Sequence, residues 1–126
     1  MAATVRASDR RRTETPNATM TTLASPTLGA TARLSLWAVE MPAGSRGPRH
    51  SFDSEQLWTV LEGEVSIIVG NDETTLGADD TVVLPAHIER QIEAAQTARL
   101  LVCGYGDAVV HASGEETPRG VPPWIA

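Results

Sequence analysis

Residues 56–86 read Q-L-W-T-V-L-E-G-E-V-S-I-I-V-G-N-D-E-T-T-L-G-A-D-D-T-V-V-L-P-A. Apolar and β-branched runs alternate here with turn chemistry. Gln56–Leu61 and Val65–Val69 flank Glu62-Gly63-Glu64, which predicts two strands joined by a tight turn. Gly70-Asn71-Asp72 leads into a short strand over Thr74–Leu76. Gly77-Ala78-Asp79-Asp80 turns again into Thr81–Leu84, which Pro85 ends. Side chains two apart share one face of a strand, so Gln56, Trp58 and Val60 point the same way.

The same reading extends to both sides. Arg33–Met41 (R-L-S-L-W-A-V-E-M) predicts a strand that Pro42 and Gly44 stop. Ile88–Ala94, Ala98–Cys103 and Ala108–Val110 predict three more, with Ile88, Arg90 and Ile92 on one face. No segment carries a sustained helical stripe. Short strands at about 8–12-residue spacing predict an all-β sandwich or small barrel. The first 25 residues are Ala, Thr, Ser, Arg and Pro without an apolar period, and are expected to be a disordered tail. Residues 26–112 would form the barrel. Residues 113–126 hold Pro118, Pro122 and Pro123 and would be a tail that packs on it through Trp124.

Composition bounds the function. The chain has 126 residues, 41% of them hydrophobic, which suits one globular domain. Its single cysteine, Cys103, excludes an intrachain disulfide framework and a multi-cysteine zinc site. A formal charge of −6 argues against a general nucleic-acid binder. No apolar run approaches the ~20 residues of a membrane helix. Arg10–Arg12 is followed by no apolar stretch and does not read as a twin-arginine export signal. A transit peptide, or a start at Met20, stays open. The expected location is cytoplasmic.

The order strand, Gly/Pro turn, His, acidic stretch, strand, L-E-G-E turn, strand, G-x-D-T-V-V-L-P-A resembles the cupin superfamily over roughly residues 31–105. The resemblance implies a cupin-type β-barrel or jelly roll. The family's first motif is G-x5-H-x-H-x3–4-E-x6-G and its second is G-x5-P-x-G-x2-H-x3-N. Gly63 stands at the end of the first; Gly77 and Pro85 follow the second. The family's metal ligands are three His and one Glu. Their positions hold His50, Phe52, Gln56 and Arg90 here, and His87 stands at a glycine position. His50 and Gln56 are thus the only motif-position candidates for a metal.

That set implies a pocket for a small anionic or polyoxygenated, partly flat ligand. His50 would act as acid or base, since its ordinary pKa is near ~6.5. Arg90 would clamp a carboxylate or enolate. Gln56 would assist catalysis, and Phe52, Trp58 and Glu55 would bind substrate. Bland readings stand beside these. His50 could be an exposed loop histidine. Arg90 could pair with Glu55 or Glu89, and Gln56 could hydrogen-bond His50. Phe52 and Trp58 could be plain core, and Cys103 a small buried hydrophobe.

Three functions follow. The first is a metal-independent isomerase, cyclase or dehydratase, by analogy with small cupin cyclases of aromatic polyketide pathways. The second is a non-catalytic ligand-binding or regulatory cupin. The third is a metal-dependent dioxygenase or isomerase, in which Glu55, His87 or water would supplement His50 and Gln56 on a divalent metal. No cofactor is expected in the first two. A homodimer is expected, paired through Val109-Val110 or the first strand.

Overall fold

The computed structural model describes residues 2–126. Twelve strands run in chain order: β1 (Arg11–Glu14), β2 (Thr19–Ala24), β3 (Leu34–Met41), β4 (Ser45–Arg46), β5 (His50–Phe52), β6 (Gln56–Glu62), β7 (Val65–Val69), β8 (Asp72–Leu76), β9 (Thr81–Leu84), β10 (Arg90–Ala94), β11 (Ala98–Tyr105) and β12 (Val110–Ala112). Apart from a three-residue 3-10 turn at Ala7–Asp9, no helix is present among the described residues. None is therefore long and apolar enough to cross a membrane.

The strands form two antiparallel sheets. One has the order β1-β2-β3-β11-β6-β9, the other β12-β5-β10-β7-β8, with β4 also on β10. Alternation decides what lies between them. Ser35, Trp37, Val39 and Met41 of β3 point inward, as do Gln56, Trp58 and Val60 of β6 and Leu100 and Val102 of β11. Val65 and Ile67 of β7 and Ile92 and Ala94 of β10 close the core from the opposite sheet. Burying each large apolar side chain contributes about 1.5–3 kcal/mol. This is the all-β architecture expected from the strand pattern, arranged as the jelly roll that the family resemblance implied.

Two turns show why their residues stand where they do. Gly63 joins β6 to β7 with φ +82, and a Cβ there would lie 2.4 Å from the Thr97 carbonyl oxygen. Only glycine meets both demands. His87 also adopts a left-handed backbone, φ +65, between β9 and β10. Its N–H donates to the Phe52 carbonyl at 2.7 Å, tying this turn to β5.

The N-terminal expectation needs correction. Residues 11–24 are no disordered tail: β1 and β2 form a hairpin, and β2 pairs with β3 from Thr19↔Glu40 to Ala24↔Leu36. The barrel therefore starts well before residue 26. The missed signal is the Pro16-Asn17 turn between two Thr-containing runs. At the other end, Ile125 is fully buried and Trp124 packs on the core. Thr22 Oγ1 donates to the Trp124 carbonyl at 2.6 Å, and Ser25 Oγ and an Arg11 Nη2 donate to the Ala126 backbone oxygen at 2.7 and 2.6 Å. The C-terminal segment is thus stitched across the N-terminal hairpin.

Candidate functional site

A cavity of about 510 Å³ opens at one end of the barrel. Its inner wall is Trp37 and Met41 of β3, Phe52 of β5 and Trp58 of β6. The Thr15–Ala18 turn forms one lip of the mouth and Arg119–Trp124 the other. The lining is mainly apolar and aromatic. Neither lip was foreseen as part of a site.

His50 is the one side chain lining this cavity that titrates near neutral pH. It opens β5, directly after the Gly47–Arg49 connection from β4. Its Nδ1 lies 2.8 Å from the Pro48 carbonyl oxygen. A carbonyl only accepts, so Nδ1 carries the proton and donates, leaving the Nε2 lone pair free. The ring meets Phe52 edge to face at 5.5 Å between centroids. Burial pushes the His50 pKa down, the Pro48 bond acts against that, and the positive charge of Arg90 lowers it further. The net direction is down, so the imidazole is neutral at pH 7.

Arg90 is the register partner of His50 across β10 and β5. Its exposure is 0%, and none of Nε, Nη1 and Nη2 has a hydrogen-bond partner in the protein. Burial lowers its pKa to about 10, which still leaves it charged at neutral pH. Neither proposed structural partner neutralises it. Glu89 pairs with Arg49 at 3.3 Å, and Glu55 is exposed. The guanidinium instead lies over the Phe52 ring, Cζ 5.4 Å from the centroid, a contact worth about 0.5–2 kcal/mol. It is not part of the cavity wall. The expectation of a direct bidentate clamp is corrected accordingly: Phe52 covers the group that was to do the clamping.

Gln56 is 1% exposed and accepts a 3.0 Å hydrogen bond from Trp58 Nε1 through Oε1. Its partner is therefore Trp58, not His50, and it fixes the tilt of one wall of the cavity. Gly104 makes room for it, since a Cβ there would lie 3.2 Å from Gln56 Cγ and 3.5 Å from Trp37. Gln56 and Glu55 both lie outside the cavity lining, whereas Phe52 and Trp58 belong to it. The structure thus brings His50, Phe52 and Trp58 to one chamber, with Arg90 and Gln56 supporting from behind.

The four positions at which the family holds a metal present one imidazole, one phenyl ring, one amide and one guanidinium. No group of three His, Cys, Asp or Glu side chains suited to a metal comes together among the described residues. A fixed positive charge opposes a second cation. This donor set does not fit a divalent metal.

Residues 37–104, more than half of the chain, match the cupin domain family Cupin_2. The protein belongs to this family. Its fold is similar to a cupin superfamily protein from Desulfitobacterium hafniense, with 17% identity, a TM-score of 0.63, and coverage of 74% of this chain and 81% of that one. An RmlC-like cupin from Shewanella frigidimarina gives 17% identity and a TM-score of 0.69 over 81% of this chain and 88% of its own. Salicylate 1,2-dioxygenase from Pseudoaminobacter salicylatoxidans, solved as adducts with gentisate, gives 16% identity and a TM-score of 0.71. That match covers 83% of this chain but 31% of the dioxygenase. At these identities the likeness shows the fold. No curated protein sequence matches the chain significantly.

Proposed function

We propose that this cupin is a metal-independent acid–base enzyme, an isomerase, cyclase or dehydratase. Its substrate would be a small, flat, oxygenated metabolite of the polyketide or another specialised type. The observation that carries the reading is the Nδ1–H···O=C bond from His50 to Pro48. It holds the imidazole in one tautomer and leaves a basic Nε2 in an apolar chamber.

The step would run as follows. Nε2 takes a proton from a carbon next to a carbonyl, and the C–H electron pair moves onto the carbonyl oxygen as an enolate. The imidazolium then gives that proton to another carbon as the enolate pair moves there (isomerase). For a dehydratase the proton goes to a β-hydroxyl that leaves as water as the pair re-forms the carbonyl and a C=C bond. For a cyclase it goes to the oxygen of a second carbonyl whose carbon the enolate carbon attacks. Arg90 opposes the imidazolium but favours the enolate. Its role in this proposal is a field acting from behind Phe52, adjusted from the direct clamp. Gln56 is a positioning residue that holds Trp58.

The test uses 2-tetralone, a flat bicyclic ketone with acidic C–H bonds. Wild-type protein in deuterated buffer should speed deuterium uptake, and His50→Gln should lower that rate about 10²-fold or more. Equal rates with and without protein would sink the enzymatic reading for this substrate class. A second reading, a non-catalytic binding cupin, draws on His50 being alone among the lining residues as an acid–base group. It predicts a raised melting temperature with 2-tetralone and no exchange.

A further inference from the structure

Among the described residues that line the chamber, none is acidic, and two carry a basic side chain, His50 and Arg119. Burial keeps His50 neutral at pH 7. Arg119 is therefore the one fixed charge on the lining, and it stands at the mouth. An apolar ligand gains nothing from a cation there; an anionic one does.

The lip holds this cation in place. The Arg119 N–H donates to the Val110 carbonyl at 2.9 Å, and the Val110 N–H donates to the Gly120 carbonyl at 3.0 Å. These bonds fix the backbone against β12. They also cover the Val109-Val110 edge that was expected to pair two copies. Glu115, which is not part of the lining, fixes the side chain: Arg119 Nε donates to Glu115 Oε2 at 2.8 Å, and Nη2 donates to Oε1. A guanidinium presents five N–H donors in a planar fork. Glu115 takes one side of it. The edge formed by Nη1 and Nη2 keeps a parallel pair of N–H groups, the geometry that a second carboxylate accepts.

We propose that Arg119 is the specificity-determining residue of the chamber: its free edge binds the carboxylate of a flat aromatic or alicyclic acid at the mouth, while the ring enters against Trp37, Phe52 and Trp58. Inside, Phe52 covers the Arg90 guanidinium, so the acid is drawn outward to Arg119. One free edge matches two coplanar oxygens. The charge of Glu115 opposes a dianion, so the preferred ligand is a carboxylate rather than a phosphate. Where the acid lies relative to the carbon that His50 deprotonates rests on the proposed function; the binding itself does not.

Calorimetric titration of the full chain with 2-naphthoate and its neutral isostere 2-naphthamide tests the proposal. At pH 8 the His50 imidazole is uncharged and does not contribute to a preference for the acid. Wild type should bind the acid about fivefold more tightly than the amide, or better. Arg119→Gln, with an unchanged circular dichroism spectrum, should bring the two compounds within about twofold of each other. The loss should fall on the acid. Equal wild-type affinities, a preference that survives Arg119→Gln, or binding of neither compound overturns the proposal. A failure to exchange deuterium into 2-tetralone bears on the enzymatic reading and leaves this one standing.

Discussion

Arg90 and His50 face each other as register partners on adjacent antiparallel strands, a buried unpaired guanidinium beside an imidazole that it helps to keep neutral. Both contribute to one electrostatic arrangement. The cation is expensive to bury, several kcal/mol in a low-dielectric interior. Its field discourages protonation of the one base in the cavity.

The first prediction follows from that expense. Arg90→Met keeps much of the volume and removes the charge. It should raise stability by about 1–4 kcal/mol, read as a higher urea midpoint at unchanged slope. The His50 pKa followed by NMR should rise, because a positive neighbour has gone. Under the proposed mechanism, exchange activity should fall in the same variant. A less stable Arg90→Met protein would show that the guanidinium has a protein partner after all.

The second concerns pH. The folded-state pKa of His50 lies below its ordinary 6.5. Between those two values the unfolded chain holds more protons, so folding stability rises with pH through this window. The penalty is fully present below the folded pKa and is gone above 6.5. Lowering the pH from 7 towards 5 in successive melts should lower the melting temperature. Part of that loss should be missing in His50→Gln, which does not titrate. Identical pH slopes for the two proteins would contradict the burial of the ring.

The third is a turn effect at Gly63. Alanine there meets both a left-handed backbone and an atom at 2.4 Å. The backbone alone costs about 1–2 kcal/mol, and the clash adds to it. Gly63→Ala should lose more stability than that backbone cost, read as a lower urea midpoint at unchanged slope.

The fourth is the reverse case. His87 is exposed and adopts φ +65 without a glycine's freedom. His87→Gly should stabilise the protein by up to about 1 kcal/mol, the strain relieved being partly offset by extra freedom in the unfolded chain. A loss would show that the side chain makes a contact of its own.

The strands of residues 56–86 were legible because each hides alternate side chains, and alternation is a local signal. That same signal placed Gln56, Trp58 and Arg90 inside. It did not show what each would touch. Trp58 Nε1 reaching Gln56 lies within the alternation, two residues away on one face, and was readable in principle. Phe52 over Arg90 joins β5 to β10, and no short-range pattern reports it. The N-terminal hairpin was hidden for a related reason. Its inward Thr22 looks like a loop residue until the Trp124 carbonyl, 102 positions away, satisfies the hydroxyl. Both lips of the cavity depend on that distant pairing.

That stitch has a consequence for how the protein comes into being. The hairpin that makes one lip leaves the ribosome long before the residues that make the other. At ~5–20 residues per second, the 102 positions between Thr22 and Trp124 correspond to roughly 5–20 seconds of synthesis. For much of that interval Trp37, Met41 and Trp58 have been made but lack the second lip. The second lip is laid down only once Trp124 has emerged, so the mouth of the chamber is completed much later than its floor.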